Sequence, residues 1–540
     1  MNTATDLTKF SLLYPDEASQ VRHYNGDDVP AIDMFVLDEL GLSEIFELKN
    51  SDLDEFFTTD VDVIKHRMDV FDDMLNFPEL AITLNKLIPI LTDIMELRRL
   101  EFDSGETESY LESITEIELY ISSISTLYQG ISPLGEKLKS QAFITLNNRI
   151  CELVESDYYK ELNTKLSELT SRVKDIKSVT IGVNLDSQLR PSSAGVLSIN
   201  PSPFRSGDVI EKILRLNFKD DEYTCIANLV PFSKKQSDNQ KAAMSLAFNS
   251  AINEVYRQSL RSWKKIVQSY VLENTDFLLN LMPEIEFLVK GTNLLRALKE
   301  RDLDLCKPEI FTLDDESVFN ASGLYNPCVA LKVDDEIVSN DIEFNRNEAM
   351  IYVLTGPNRG GKSVITCAIG LSLAMLQLGM FVPATSATIS VADGIFTHFP
   401  TGADDTIDKG RLGEECARLR DIFDSVTSKS FVLLDESLSS TGSYEASYIA
   451  AEVLAGISRI GCRCLFSTHL HELASEIDNI NARTASHGGN KIDTLVAGIE
   501  DGKRSFKIVR MKPDGKSYAR DIADKYGLSY ENIIKGRALD

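Results

Sequence analysis

A glycine-rich segment that ends in lysine and serine offers the clearest chemistry in this chain. Residues 354–363 (LTGPNRGGKS) contain the pattern G-x-x-x-x-G-K-[ST]. The apolar run 349–354 before it is typical of a strand, and the stretch 364–378 after it is typical of a helix. Between a strand and a helix, such a loop lets backbone N–H groups converge on phosphate oxygens, which the positive helix end also attracts. The segment therefore predicts a nucleoside triphosphate site, and the flanking pattern makes a glycine turn without a ligand the weaker alternative.

The residues of this loop have separate expected roles. Lys362 is expected to reach the β- and γ-phosphates, and the Ser363 hydroxyl is expected to ligate Mg²⁺. The full set of predicted nucleotide-binding residues is Gly356, Pro357, Asn358, Gly360, Gly361, Lys362, Ser363 and Val364.

A pair of carboxylates follows a second apolar run. Residues 431–434 (FVLL) are long enough for a buried parallel strand, and they end in Asp435 and Glu436. In a phosphate-loop enzyme, an Asp at such a strand end holds Mg²⁺ directly or through water. A carboxylate immediately after it can polarise the attacking water, so Glu436 is the candidate general base. The alternative is a solvated strand end without catalytic function.

A third strand pattern ends in a histidine. Residues 462–469 (CRCLFSTH) place His469 at the carboxyl end of a predicted strand, where open α/β sheets bind ligands. His469 is therefore predicted to contact the γ-phosphate or the attacking water. A surface histidine at a strand end is the alternative.

These segments resemble the ATPase domain of the MutS family of DNA mismatch-repair proteins. The loop is similar to the family's Thr-Gly-Pro-Asn-x-Gly-Gly-Lys-Ser, which is narrower than a general phosphate-loop pattern. The other segments that carry the resemblance are 381–384 (FVPA), 395–397 (IFT) with Asp404 and Asp405, 467–469 (STH), 516–519 (KSYA) with Ala523, and 533–535 (IIK). The resemblance implies an α/β P-loop ATPase domain of the ABC type, ATP with Mg²⁺ as cofactors, and a homodimer with two nucleotides at its interface.

The chain departs from the family pattern at two places. The family usually continues Ile-Gly-Arg-Gly-Thr after its Asp-Glu pair, whereas residues 437–441 are SLSST. The family also has Ser-Thr after Gly-Arg in the segment that meets the partner subunit's nucleotide, whereas residues 410–413 are GRLG. The second departure removes a hydroxyl, which indicates that the contribution across the dimer is weakened or passes to backbone N–H groups.

The N-terminal half is predicted to be mainly helical. Amphipathic patterns begin at residue 60 and continue through 80–100, 110–128 and 138–173, although Pro89 should kink or split the second of them. Alternating patterns at 178–185, 194–199 and 225–230 indicate strands, and helix returns from about residue 238 to 281. The resulting division is an N-terminal segment (1–55), a helical core or lever (56–175), a small β-rich, clamp-like insertion (176–235), a returning lever (236–305) and the ATPase domain (306–540).

Composition limits the protein class. The 540 residues are 43% hydrophobic and carry eight cysteines, none in a C-x-x-C pattern, which suits reduced thiols in a cytoplasmic protein. We find no apolar stretch long enough for a membrane span, and the first residues lack the pattern of a signal peptide. About 50 residues precede the first lever helix, which is too few for the family's mismatch-reading domain. No nuclease module is expected after the ATPase helices.

The net charge of −27 bears on the partner. DNA-binding proteins neutralise phosphates with basic faces, although a local patch can do this on an acidic protein. Two candidate patches are 234–265 (Lys234, Lys235, Lys241, Arg257, Arg261, Lys264 and Lys265 around Trp263) and 503–512 (Lys503, Arg504, Lys507, Arg510 and Lys512), each of which is equally consistent with a solvated face.

Two functions from different classes follow. The first is a homodimeric ATPase that moves helical levers on mismatched or branched DNA in repair or recombination, with repair proteins as further partners. The second is a nucleotide-gated scaffold that binds protein partners rather than DNA, which the acidic charge favours. A transporter-type ATPase is weakened by the missing Leu-Ser-Gly-Gly-Gln signature and membrane segment.

Overall fold

The computed structural model divides the chain into two compact units. It describes residues 10–32, 34–104, 110–174, 178–185, 187–188, 191–200, 276–357, 359–400, 411–500 and 503–512, with residues 528 and 533. The helical unit consists of Met1–Phe10, Ile82–Leu138 and Phe143–Ile285, and the sheet unit consists of Ser11–Ala81, Lys139–Ala142 and Glu286–Asp540.

A seven-stranded sheet forms the centre of the sheet unit. Six of its strands are parallel, and the edge strand Lys503–Arg510 is antiparallel to its neighbour Ile492–Glu500. In spatial order the strands are β1 (Ala31–Ile32), β9 (Gly394–His398), β10 (Phe431–Asp435), β11 (Arg463–Ser467), β7 (Ile351–Thr355), β12 (Ile492–Glu500) and β13 (Lys503–Arg510). The three central strands β10, β11 and β7 are buried at every position. Continuous apolar runs are what a parallel sheet covered on both faces requires.

Helices cover the two faces of this sheet. On one face, α12 (Lys362–Gln377) packs on β10 and β11, together with α2 (Met34–Leu40). A Cβ built at Gly370 of α12 would lie within 2.8 Å of side-chain methyl groups of both Leu40 and Leu433, so a larger residue there would require these leucines to move. On the other face, α13 (Arg411–Ser425), α14 (Ser443–Ile460) and α15 (His471–Ala485) bury side chains such as Leu454 and Leu473 against Val432 and Phe466.

A four-stranded sheet accompanies the large one, and a buried arginine joins them. Its order is β4 (Glu309–Phe311), β8 (Ser386–Ser390), β5 (Phe319–Leu324) and β6 (Asn340–Phe344). Arg463 of β11 is fully buried and donates hydrogen bonds to four carbonyl oxygens, those of Val318 (3.0 Å), Ser390 (3.1 Å), Val391 (3.3 Å) and Lys429 (3.4 Å). Its guanidinium also lies over the Phe431 ring, 5.2 Å from the centroid.

Residues 11–55 of the N-terminal segment belong to the sheet unit. Strand β1 forms the edge of the large sheet by pairing with β9. Helices lie on both sides of this strand in the sequence. Helix α1 (Glu17–Tyr24) precedes β1, and α3 (Leu42–Phe46), α4 (Asn50–Asp54) and α5 (Val61–Asn76) follow α2. Most of α10 (Met282–Lys299) and all of α11 (Pro327–Lys332) also lie in this unit. Arg67 of α5 is buried and donates to the carbonyl oxygens of Leu13 and Phe56.

The helical unit contains the predicted long helices. They are α6 (Pro78–Ser104, which starts in the sheet unit), α7 (Tyr110–Ile131), α8 (Gln141–Glu155) and α9 (Asp157–Lys174), with a 3₁₀ turn at Ser132–Lys137. Strands β2 (Ser178–Leu185) and β3 (Pro191–Asn200) pair in antiparallel fashion, as the alternating patterns predicted. The structure does not split α6 at Pro89; the helix continues through it. The predicted strand at 225–230 and the predicted helix up to residue 275 lie outside the described residues, while residues 276–280 are helical.

Two further expectations concern membranes and thiols. None of the helices in the described ranges combines the length and apolar character that a membrane crossing needs. The seven cysteines in those ranges are all free.

Replacing Arg463 by Met should lower the stability of the sheet unit. The variant keeps the apolar volume but leaves up to four buried carbonyl oxygens without their donor, so we expect a loss of about 2–4 kcal/mol in the free energy of unfolding. Urea titration measures the change. Arg459→Met, which alters an exposed arginine on α14, is the matched control and should shift the midpoint little. Equal behaviour of the two variants would refute the linking role of Arg463.

Candidate functional site

The glycine loop connects β7 to α12 and has a backbone that few residues other than glycine adopt. Gly356 (φ 142°) and Gly361 (φ 93°) have positive φ values. A Cβ at Gly356 would lie 2.7 Å from the Cβ of Ala497 on β12, so the loop depends on glycine there for space as well as for conformation. The amide of Gly360 donates to the Pro357 carbonyl oxygen at 3.0 Å and closes the turn. Asn358 lies outside the described residues.

Lys362 and Ser363 begin the helix that follows. The Lys362 side chain is buried, and its Nζ donates to the carbonyl oxygens of Gly356 (3.3 Å) and Pro357 (3.4 Å). Burial lowers the pKa of the Lys362 ammonium, while the carboxylates of Glu436 and Asp435 oppose this. Ser363 and Val364 are exposed at the first turn of α12.

Asp435 lies at the carboxyl end of β10, two strands away from the loop strand. Asp435 is 4% exposed, and its Oδ1 has no hydrogen-bond partner among the described residues. Burial raises the pKa of the Asp435 carboxyl, and the hydroxyls of Ser363 and Ser467 act in the opposite direction. A buried carboxylate oxygen without a partner, beside serine hydroxyls, is a hard oxygen donor set that suits Mg²⁺.

Glu436 follows Asp435 in a left-handed backbone conformation, with φ of 46°. Its amide donates to the Ser467 carbonyl oxygen at 2.8 Å, which fixes the residue to the end of β11. Glu436 is half-buried, and its carboxylate acts electrostatically on Lys362. The structure therefore brings Lys362, Ser363, Asp435 and Glu436 together at one edge of the sheet.

His469 lies at the same edge of the sheet but, unlike Lys362 and Asp435, it is exposed. The register pairs Leu354 with Ser467, and Ser467 with Asp435, so the ends of β7, β11 and β10 are level. The Thr468 amide donates to the Leu354 carbonyl oxygen at 2.9 Å. Lys362 and Asp435 are buried, whereas the His469 side chain is at the surface. A nucleotide bound to Lys362 and Asp435 would therefore have to extend outwards for its γ-phosphate to contact His469.

Two family models match separate ranges of this chain. A family model of MutS domain V matches residues 352–529, which include the loop and both carboxylates. A family model of the MutS2 N-terminal domain matches residues 59–301. The chain is a member of the MutS family.

Curated relatives of this MutS family member carry the name of DNA mismatch repair proteins. MutS of Clostridium kluyveri is 34% identical over 252 residues, 46% of this chain and 28% of the relative. MutS of Halothermothrix orenii is 28% identical over 304 residues, 56% of this chain and 32% of the relative. The mismatch repair protein MSH3 of Cryptococcus neoformans is 36% identical over 174 residues, 32% of this chain and 14% of the relative. The chain spans less than a third of the length of each of these relatives.

The structure also places residues of this MutS family member that the sequence did not single out. A Cβ built at Gly361 would lie 3.5 Å from Cδ1 of Phe506, a half-exposed residue of β13 with φ of 55°. An exposed aromatic ring beside a phosphate loop can stack on a nucleotide base. Ser467 was noted only as part of the Ser-Thr-His pattern, yet it contributes to the surroundings of Asp435. The spacing of Phe506 and Gly361 in the sequence gave no indication of this contact.

The two departures from the family pattern occupy definite positions. Leu412 and Gly413 lie in the first turn of α13, while Gly410 lies outside the described residues. Ser437 is buried, and its hydroxyl is 2.8 Å from Nδ1 of His398 at the end of β9. Sequence reasoning named Ser437 only as a departure and did not consider His398.

The C-terminal basic cluster is partly used in ion pairs. Arg510 pairs with Glu348 and with Asp493, the latter at 2.6 Å. Lys512 pairs with Asp478 at 2.9 Å. Since their charges are matched within the chain, these two residues are weaker candidates for DNA phosphates than the sequence predicted. The other candidate patch, 234–265, lies outside the described residues.

The protein should become less stable as the pH falls, because the buried His398 resists protonation in the folded state. Burial, assisted by the Arg418 charge, lowers the pKa of His398 from 6.5 to about 4. The unfolded chain therefore binds this proton first as the pH falls, so the contribution is present above pH 6.5 and is lost towards pH 4. We expect the free energy of unfolding to fall by about 2 kcal/mol more in the natural chain than in His398→Asn between about pH 7 and pH 5. Parallel urea titrations measure this difference, and identical pH dependence in both proteins would exclude a neutral buried His398.

Proposed function

We propose that this MutS family member is an ATPase with an α/β P-loop fold of the ABC type. The observation that carries the proposal is the meeting of a buried lysine, two carboxylates and a serine hydroxyl where β7 and β10 end. In this proposal the amides of the glycine loop and Lys362 bind the β- and γ-phosphates. Ser363 and Asp435 would hold Mg²⁺, which when bound neutralises phosphate charge. Phe506 would supply a stacking surface for the base.

Glu436 is assigned the role of general base in this mechanism. Its amide is held by Ser467, which fixes the backbone that carries the carboxylate, and the carboxylate interacts electrostatically with Lys362 of the loop. From there it can accept a proton from a water molecule that attacks the γ-phosphorus. His469, which is exposed at the same edge, would contact the transferred phosphoryl group and report its release.

Glu436→Gln should separate nucleotide binding from hydrolysis. The amide keeps the shape of the side chain but cannot accept a proton, so we expect kcat to fall by about 100-fold or more while ATP still binds. Single-turnover hydrolysis and equilibrium binding measure the two effects. The control Glu476→Gln changes an exposed glutamate on α15 and should leave both unchanged. Normal turnover by Glu436→Gln would contradict the assignment.

DNA is the proposed partner, bound by a homodimer that forms through the ATPase domain. The MutS2 N-terminal match covers the long helices α6 to α9, which are suited to act as levers because each has 15 to 27 residues. ATP binding or hydrolysis would move these helices on mismatched or branched duplexes. The net charge of −27 favours the alternative, a nucleotide-gated scaffold for protein partners.

A DNA titration separates these two functions. ATP-trapped Glu436→Gln is titrated with homoduplex, mismatched duplex and four-way-junction DNA at several salt concentrations, because phosphate contacts make affinity salt-dependent. We expect one DNA structure to bind at least about tenfold more tightly than the homoduplex at physiological salt. Lys362→Ala, which should not retain the nucleotide, is the control for ATP dependence. Failure to bind all three DNAs near physiological salt would favour the scaffold.

A further inference from the structure

The turn that carries Glu436 contains two left-handed residues that are not glycine. Glu436 has φ of 46° and Leu438 has φ of 65°. A left-handed conformation is unfavourable for a residue with a side chain, and it persists only where surrounding contacts hold it. One contact is the hydrogen bond from the Glu436 amide to the Ser467 carbonyl oxygen, and another is the burial of Leu438 in the sheet core. Ser437 lies between the two strained residues.

The Ser437 side chain is bound to a single histidine. Its hydroxyl is 2.8 Å from Nδ1 of His398 and 3.1 Å from the backbone carbonyl oxygen of the same residue. Both residues are at most 4% exposed, so water does not compete with these contacts. In the low local dielectric of the interior, such hydrogen bonds are stronger than at the surface.

The neighbours of His398 favour one protonation state. Nε2 lies 3.3 Å from the Glu415 carbonyl oxygen, which can only accept. A neutral ring with its proton on Nε2 satisfies both nitrogens, because Nε2–H donates to Glu415 and Nδ1 accepts from the Ser437 hydroxyl. In this tautomer the single hydrogen of the Ser437 hydroxyl is directed at Nδ1 and not at the His398 carbonyl oxygen 3.1 Å away.

The ring itself is held from two sides. His398 pairs with Leu434 in the β9–β10 register, which places it beside the end of the strand that carries Asp435. Glu415 and Arg418 belong to α13, and Arg418 donates to the Phe399 carbonyl oxygen at 3.3 Å. Arg418 also pairs with Glu39 of α2 at 2.7 Å. A rigid connection therefore runs from α13 through the imidazole to the turn after β10.

We propose that His398 is a positioning residue that acts through Ser437 to hold the Glu436 carboxylate in its catalytic orientation. The inference rests on the proposed ATPase function. It assigns a reason to one departure from the family pattern, since a serine at position 437 supplies the hydroxyl that the imidazole binds. Neither His398 nor Ser437 contacts the nucleotide in this proposal.

Substitutions on both sides of the hydrogen bond test the proposal. Ser437→Ala removes the hydroxyl, and His398→Leu removes the ring nitrogens while retaining apolar bulk. His398→Asn keeps an amide oxygen near the position of Nδ1 and is the conservative variant. Ser440→Ala is the matched control, because its hydroxyl lies in the same segment and has no hydrogen-bond partner among the described residues.

The kinetic readout distinguishes positioning from general destabilisation. We expect Ser437→Ala and His398→Leu to lower kcat about tenfold, with the dissociation constant for ATP changed by less than about twofold. His398→Asn should recover part of the loss, and Ser440→Ala should match the natural chain. In a Glu436→Gln background, Ser437→Ala should cause no further loss, since its effect passes through the missing carboxylate.

Hydrogen–deuterium exchange provides a readout that does not require turnover. Exchange of the amides in 436–440 should increase in Ser437→Ala and His398→Leu but not in Ser440→Ala. Suppose that the natural chain hydrolyses ATP and Glu436→Gln does not. Unchanged kcat and unchanged exchange in Ser437→Ala and His398→Leu would then overturn the positioning role and leave the proposed ATPase function standing. A parallel loss of ATP affinity and kcat would also overturn it. Absence of hydrolysis by the natural chain would overturn the proposed function and this inference together.

Discussion

The level, parallel pairing of β7, β11 and β10 is the constraint on which the candidate site depends. Because parallel strands end at the same edge, residues distant in the sequence meet there without long connecting loops. Lys362 and Asp435 are 73 positions apart in the printed numbering, yet the charge of each affects the other. A shift of one residue in any of these strands would turn its side chains to the opposite face and separate the lysine from the carboxylates.

Burial of charged groups makes this edge chemically specific. Asp435 and Lys362 are removed from water, which disfavours the ionised form of each, and their mutual attraction only partly compensates. Arg463 solves the same physical problem at the opposite end of β11 by donating to four carbonyl oxygens. The two groups differ in their surroundings. Nη1 and Nη2 of the arginine donate within the chain and only its Nε lacks a partner, whereas the unpartnered Oδ1 of Asp435 belongs to a carboxylate that interacts with Lys362 of the loop. A buried charge whose donors are mostly paired within the chain stabilises a fold, and an unpartnered carboxylate oxygen beside the loop is available to a ligand.

Sequence patterns predicted the parts of the structure that depend on local chemistry. The glycine loop, the strand before Asp435 and the paired strands β2 and β3 follow from periodicity and residue type. Contacts between distant segments could not be predicted in this way. Strand β1 has only two residues and is defined by its partner β9, and Phe506 meets Gly361 through the β12–β13 pairing. Pro89 was expected to kink or split a helix, and α6 is not split there, so local propensity did not end the helix at that position.

The segment after Asp435 shows how a departure from a family pattern can carry structural meaning. Replacing a small or apolar residue by serine in a buried turn costs free energy unless the hydroxyl finds a partner. His398 supplies that partner, and the pair then constrains a backbone with two left-handed residues. The family pattern places Gly in this region, where positive φ is easily adopted, whereas this chain has Leu438. A chain that gives up glycine at a left-handed position needs additional contacts to maintain the turn, and the buried hydrogen bond between His398 and Ser437 is placed where such a contact is required.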